Sequence, residues 1–421
     1  MNKKDLRKKI LHSISFGLIE QILNIILGFI ISVITIRYLS RSNFGLISYA
    51  ASFFAIINFI NIAPENYLFK INNKIENEVE YLKSYEFFSI FKSLLIFIIF
   101  LIIGIAISIK NNNITYLLVF LSNSIFFSFN QIANIYKVKL ELEFKQKIIT
   151  LSVLLGKTAK AILIIFLIYT PKIEIVLISQ ILEVVVYVIY RRRYLKRVLD
   201  FNKKISFSYA YNIIKKSSLN YSIWTHLMGV ITNFIYKIDP FILGFFVSME
   251  QIGTYSIALK ISNYFIIIFQ LLQKNSLIAL SNISKLKEKN NIIFKFNILS
   301  IILSILQFVL FLFLGKHILA LYVNKDEIEI VYNYMFYILF GLSIINGFRP
   351  LISYLTLIDD VKKVLFYCII PSGIFTFIIY IISAYKFGTI GIAKANVLAY
   401  FFWTILLIAR TVYINLKNEV H

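Results

Sequence analysis

The 421-residue sequence has one cysteine, four histidines and only 21 acidic residues against 44 basic ones. A lone thiol, Cys368, excludes an intrachain disulfide and any thiolate cluster; its apolar surroundings fit a small core side chain. His12, His226, His317 and His421 show no metal-ligand spacing. No Ser-His-Asp set or paired carboxylates are placed for nucleophilic or acid–base catalysis. Gly156-Lys157-Thr158 is like the end of a phosphate-binding loop, but the first glycine is missing because position 151 is leucine. The triplet also lies within an apolar run, so ATP hydrolysis does not follow. No cofactor or resident metal is implied, beyond a proton or sodium ion as coupling partner.

What the chain has is apolar length. Hydrophobic residues make up 59%, the mean hydropathy is +0.78, and several runs of about 20 residues carry no charge. That exceeds what a soluble core can hide, so the expectation is a polytopic membrane protein. The net charge of +23 does not point to nucleic acid, because the basic residues sit in connections between apolar spans. Twelve spans are expected, near 14–36, 45–63, 86–109, 115–136, 148–169, 174–190, 218–244, 251–273, 296–315, 330–348, 364–385 and 388–409. The first follows a basic N-terminus but is too long for a signal-peptide core, and reads as a retained span. Alternate connections carry 31 and 7 Lys plus Arg, which places both termini in the cytoplasm. Connections on the other side are short, such as Lys110 to Ile114 and Thr170 to Glu174, leaving no room there for a catalytic domain.

The chain repeats itself. In the first span Gly17, Gln21, Asn24, Gly28 and Ser32 recur every three to four residues, forming a polar stripe on one helix face. The turn that follows, Ser40-Arg-Ser-Asn-Phe44-Gly45-Leu-Ile-Ser48-Tyr49-Ala50, returns 208 residues later as Ser248-Met-Glu-Gln-Ile252-Gly253-Thr-Tyr-Ser256-Ile257-Ala258. The same offset carries the stripe onto Thr225, Gly229, Thr232, Tyr236 and Pro240. Two related halves are therefore expected, a six-helix bundle over 1–190 and another over 218–421. They are joined by a basic cytoplasmic linker over 191–217 containing Arg191, Arg192, Arg193, Lys196, Arg197, Lys203, Lys204 and Lys216. That linker reads as a topology anchor, or more sharply as a contact for anionic phospholipid.

Ionisable residues at membrane depth carry the strongest functional signal, since each costs roughly 2.5–3.5 kcal/mol on insertion scales. In the first half these are Glu20, Lys157, Lys160 and Glu183; in the second they are Lys237, Asp239, Lys260 and Lys394. Lys157 and Lys160 share a helix face, about 14–18 Å from the start of their span. With Glu183 they read either as an ion pair tying two helices together or as a cationic lining, the excess positive charge favouring the lining. Glu20, Glu183 and Asp239 are candidates for ion or proton coupling, Glu20 and Asp239 being open also to satisfaction by neighbouring helices. Pro240 is expected to kink its helix. Glu86 and Lys92 lie near a cytoplasmic end and are expected to snorkel, and Arg349-Pro350 to mark a helix boundary.

The twelve spans in two repeats, the Arg37-Tyr-Leu-Ser-Arg-Ser-Asn-Phe-Gly45 turn, Asp239 to Ala258 and Lys386-Phe-Gly388-Thr-Ile-Gly391-Ile-Ala393 resemble the polysaccharide-biosynthesis flippases. These are the Wzx-type O-antigen and capsule repeat-unit translocases of the multidrug/oligosaccharidyl-lipid/polysaccharide exporter superfamily. The resemblance implies an all-α integral membrane protein, a V-shaped MATE-like pair of parallel six-helix bundles around a central cationic cavity. It implies undecaprenyl-pyrophosphate oligosaccharide as substrate, moved by alternating access in the bacterial cytoplasmic membrane, with an ion gradient as the common driving force. A polysaccharide polymerase and a chain-length regulator are the implied protein partners. On this reading Lys157, Lys160, Lys237, Lys260 and Lys394 attract the pyrophosphate, while Gln21, Asn24, Thr225, Thr232 and Tyr236 offer hydrogen bonds to sugar. A drug or metabolite antiporter of the same superfamily would favour acidic or aromatic residues over lysines. A polytopic membrane enzyme would need a larger extracytoplasmic loop.

Overall fold

The computed structural model describes residues 3–59, 78–198, 208, 210–212, 215, 222–281, 283 and 285–419. Lys203, Lys204, Lys216, His421 and the side chains of His12 and Thr225 lie outside that description. All regular secondary structure among the described residues is helical. The first half contains α1 (Lys3–Tyr38), α2 (Arg41–Ile57), α3 (Glu78–Asn111), α4 (Ile114–Leu142), α5 (Gln146–Ile165) and α6 (Ile173–Val198). The second contains α7 (Ser222–Lys237), α8 (Asp239–Leu243), α9 (Met249–Tyr264), α10 (Ile267–Ser281), α11 (Leu286–Tyr322) and α12 (Lys325–Phe348). It ends with α13 (Pro350–Ile358), α14 (Val361–Val364), a π-helical turn at Leu365–Ile369 and α15 (Ile370–Glu419).

Eight helices among the described residues are long and apolar enough to cross a membrane, or nine if α9 and α10, bent by 40° at their junction, count as one span. The longest, Val361–Lys417, is interrupted at Gly388, whose φ of 60° is left-handed and is open to glycine at little strain. Each piece, before and after Gly388, exceeds the roughly 20 residues that a crossing needs. Only 22–44% of each apolar window is buried in the protein, so most of that surface requires lipid rather than water. This is a multi-pass membrane protein.

Several helices run further than their apolar spans. The 34-residue α3 and 37-residue α11 continue into stretches rich in lysine and glutamate, residues with good helix propensity. For the same reason Arg191, Arg192, Arg193, Lys196 and Arg197 belong to α6 and not to an irregular linker, which on the sequence reading began at 191. The helix at 222 breaks at Ile238, and Pro240 occupies the first turn of α8, where its missing N–H is tolerated. Pro350 opens α13 in the same way, so the expected boundary at Arg349-Pro350 is present.

Two compact units emerge from the packing: Met1–Ser40 with Ile60–Ile223, and Arg41–Phe59 with Trp224–His421. In the first, Ser93 and Ser128 donate reciprocally to one another's carbonyls at 2.8 Å, joining α3 to α4. In the second, Ser300 donates to the Asn346 carbonyl at 2.7 Å and Ser304 to the Ser343 carbonyl at 2.6 Å, joining α11 to α12. Small hydroxyls bonded across helices are a common means of helix association where no hydrophobic drive exists between helix and lipid.

Although α2 lies early in the chain, it packs in the second unit against α9. Both helices begin with a copy of the repeated motif, and the copies cross at their glycines. A Cβ on Gly45 would overlap the Met249 carbonyl, and one on Gly253 would overlap the Arg41 carbonyl. Since Arg41 and Met249 are equivalent positions of the repeat, the crossing is quasi-symmetric. Ser248 opens α9 with a capping box: the Gln251 N–H donates to its Oγ at 3.3 Å and its own N–H donates to Gln251 Oε1 at 3.2 Å. Arg41 anchors the start of α2 to the start of α12 through two bonds of 2.5 Å to the Glu327 carboxylate.

Gly45→Leu and Gly253→Leu should each lower the thermal midpoint of the purified protein by several degrees, the overpacking penalty being about 1–3 kcal/mol. Gly229→Leu, at a position with nothing within 4 Å, should leave it nearly unchanged. Equal losses at all three positions would show that the crossing has no special role.

Candidate functional site

In the first unit the polar stripe of α1 faces α5. The Gln146 amide donates to Glu20 Oε2, the Thr150 hydroxyl to the Phe16 carbonyl at 3.0 Å, and Lys157 Nζ to the Asn24 carbonyl at 3.2 Å. The Gln21 and Asn24 side chains are half-buried. One helix further on, Lys160 Nζ donates to Glu183 Oε2 at 2.7 Å, and Tyr187 OH donates to Glu183 Oε1 at 2.6 Å. The sequence reading offered an ion pair or a cationic lining, and the geometry contains the pair with one cation left over. Lys160 is matched by Glu183, whereas Lys157 meets a backbone carbonyl and no carboxylate within ion-pair distance among the described residues.

Gly156 makes this arrangement possible. A Cβ there would collide with the Tyr187 ring and come within 2.8 Å of the Glu183 carbonyl. The glycine of the phosphate-loop look-alike therefore brings α5 against α6, and Lys157 and Lys160 follow at that contact. Deeper in the unit Arg191 is buried, donating to Ser152 Oγ at 2.9 Å and the Ala133 carbonyl at 3.2 Å beneath the Tyr187 ring. Glu86 and Lys92 were expected to snorkel, but both are buried. Glu86 accepts from Tyr136 at 2.5 Å and pairs with Arg192 at 3.3 Å, and Lys92 lies over the Phe88 ring. Glu86 thus has partners on two neighbouring helices in place of headgroup water, and Lys92 a ring on its own helix.

The second unit has a polar network of its own. Asp239 is 1% exposed at the start of α8. Its Oδ2 accepts from Tyr255 OH at 2.6 Å and Asn396 Nδ2 at 3.2 Å, while Tyr380 OH donates to Asn396 Oδ1 at 2.6 Å. Asp239 Oδ1 has no hydrogen-bond partner among the described residues. Tyr236 packs against the Tyr400 and Trp403 rings, with the Arg349 guanidinium 5.5 Å from its centroid. Arg349 is buried and donates to Gln273 Oε1 at 2.8 Å, which ties α12 to α10. The three lysines of this unit have different surroundings. Lys260 sits over Phe44, Lys394 is exposed over Tyr337, and Lys237 is exposed at the end of α7; Thr232 is half-buried.

Sequence reasoning missed Tyr255, Tyr380, Asn396, Arg191 and Arg349. Two of them left a trace: Tyr255 stands where the first copy of the repeat has Ile47, and Asn396 is the one amide in the apolar stretch Ile392–Ala399.

A family profile described as polysaccharide biosynthesis protein matches residues 10–264. The chain belongs to this family. No curated protein sequence matches it. Among solved structures it is similar to a lipid II flippase, MurJ, in an inward closed conformation, with 16% identity, a TM-score of 0.73 and coverage of 94% of this chain and 87% of the other. A multidrug resistance MATE family transporter of the MOP superfamily, inward-facing, gives 14% identity and a TM-score of 0.68 over 97% and 99% of the two chains. A MOP superfamily transporter from Pyrococcus furiosus gives 11% and 0.51 over 97% and 96%. At these identities the likeness establishes the fold, a MOP-type helical membrane transporter fold. Flippases and transporters, not enzymes, make up these neighbours.

Glu183→Gln should destabilise the protein by about 2 kcal/mol, because it strips the partner from a largely buried ammonium. The double variant Lys160→Met/Glu183→Gln should recover most of that loss in denaturant unfolding. No recovery would mean that the pair is not coupled.

Proposed function

We propose that this protein is a flippase that carries undecaprenyl-pyrophosphate-linked oligosaccharide repeat units from the cytoplasmic to the outer leaflet of a bacterial cytoplasmic membrane. The reading has both termini in the cytoplasm, twelve crossings and alternating access. The observation that carries it is Lys157, an ammonium within an apolar span with a backbone carbonyl as partner and no carboxylate in ion-pair distance among the described residues. Such a charge is expensive in an apolar medium unless an anion visits it, and a pyrophosphate is an anion of suitable strength. Membership of a polysaccharide biosynthesis family and a flippase-like fold support the same conclusion. Lys160 contributes to the same site with its charge matched by Glu183. Lys237, Lys260 and Lys394 supply positive charge in the second unit, and the polar stripes on α1 and α7 suit sugar hydroxyls.

Of the three coupling candidates, Asp239 is favoured. Glu20 is engaged by Gln146 and Glu183 by Lys160 and Tyr187, whereas Asp239 offers one oxygen without a partner among the described residues, in a fully buried setting. A carboxylate so placed can take up a proton or a monovalent cation and release it when its surroundings change. The buried acid, together with the Tyr236, Tyr400 and Trp403 rings, also favours a second reading, an antiporter of cationic drugs or metabolites.

Reconstituted vesicles with a fluorescent undecaprenyl-pyrophosphate oligosaccharide in one leaflet distinguish the two. Protein-dependent transfer that falls about tenfold or more in Lys157→Ala, and stays near parental in Lys110→Ala, is the expected outcome. Movement of a cationic dye with no lipid transfer would establish the antiporter instead. In the same vesicles Asp239→Asn should abolish the response to an imposed proton or sodium gradient, and Glu20→Gln should retain it. A retained response in Asp239→Asn would assign that residue a structural role.

A further inference from the structure

In the second unit, lined by none of the Asp239 network's residues, the chain builds a small basic cavity of about 270 Å³. It lies between the end of α13, the π-helical turn and the last turns of α15, and its polar walls are Asp359, Lys363, Tyr367, Arg410, Tyr413 and Lys417. Arg410 is its fixed centre. The guanidinium donates through Nε to Asp359 Oδ2 at 2.7 Å, and its Nη2 lies 2.6 Å from the same oxygen in an ion pair. The Tyr367 and Tyr413 rings flank it, with centroids 4.8 and 5.1 Å away. Arg410 Nη1 has no protein acceptor among the described residues, so its donors remain for a ligand. Lys363 and Lys417 are exposed at the rim and have no carboxylate partner among the described residues.

Three cations against one carboxylate leave an excess of two positive charges around the cavity. An ion-paired arginine normally has its charge matched; here the pairing orients the fork and the two lysines supply the surplus. The surroundings give the depth. Lys362 lies 4.9 Å from the Trp224 ring, and the Tyr367 and Tyr413 rings are themselves more than half exposed. Tryptophan and tyrosine beside lysine at helix ends mark the headgroup layer of a membrane.

We propose that this cavity binds a phosphoryl group, that of an anionic phospholipid headgroup or of a free phosphate, between Arg410 Nη1, Lys363 and Lys417. The phosphate oxygens accept from the guanidinium and the two ammonium groups. Occupancy ties the end of α15 to the connection after α13, which makes the headgroup a clamp on the C-terminal helix. This site is independent of the transport reading, since none of its residues belongs to the Lys157 or Asp239 groups.

The test uses the full chain, purified in a neutral detergent, with thermal unfolding as readout. Phosphatidylglycerol and inorganic phosphate are titrated separately, with phosphatidylcholine as control. The expected result is a saturable rise in midpoint with phosphatidylglycerol, none with phosphatidylcholine, and an apparent affinity lowered roughly tenfold or more in Lys363→Gln/Lys417→Gln. The control double variant Lys287→Gln/Lys295→Gln, which removes the same charge elsewhere in the unit, should bind as the parent does. A rise with inorganic phosphate that depends on Lys363 and Lys417 supports the site with a soluble anion as its source. Equal stabilisation by the two lipids, or equal losses in the two double variants, would overturn the proposal.

Discussion

The second unit depends on a contact between two backbones. Where α2 crosses α9, Gly45 and Gly253 are each so close to the opposite chain that a methyl group would overlap a carbonyl oxygen. In lipid the apolar side chains of a helix gain little by leaving their surroundings, so close backbone approach and dispersion supply the attraction that hydrophobic burial supplies in water. The paired copies of the motif, the capped start of α9 and the Arg41–Glu327 pair all serve that contact. A repeat in the sequence thus becomes a quasi-symmetric interface in the fold.

The buried charges follow the same economy of the bilayer. Four of them have neighbours that answer them: Lys160 with Glu183, Arg191 with Ser152 and Ala133, Glu86 with Tyr136 and Arg192, Arg349 with Gln273. Against that background the two incompletely answered groups stand out. Lys157 retains a positive charge and Asp239 retains a bare oxygen, one in each unit. Pairing is the rule for structural charges at such depth, so a departure from it is where transport chemistry is sought.

The sequence made the membrane class, the repeat and the presence of Lys157, Lys160, Glu183 and Asp239 within apolar helices legible, because length, charge spacing and an offset of 208 residues are one-dimensional signals. Partners are not one-dimensional. Tyr255 and Asn396 reach Asp239 from helices 16 and 157 residues away, and nothing in their local sequence announces the meeting. Charge density near the spans misled in two places. Arg191 looked like part of a loop but is a buried helical residue, and Lys92 looked ready to reach water but is enclosed. In both cases the helix continues past the apolar run, which hydropathy alone does not reveal. Gly156 gave the opposite lesson, since a fragment of a nucleotide motif turned out to be a contact point between helices.

The early position of α2 has a consequence for how the chain is made. Its partner α9 is synthesised almost 200 residues later, which at ribosomal speeds is a delay of roughly 10–40 s. During that interval α2 is inserted but has no second copy of its motif to dock on, and its glycine face is open to lipid or to the insertion machinery. Assembly of the second unit therefore reaches back to a segment laid down near the beginning of translation. A chain truncated before Met249 would leave Gly45 and its neighbours without their seat, so α2 completes its packing only when the middle of the chain has been made.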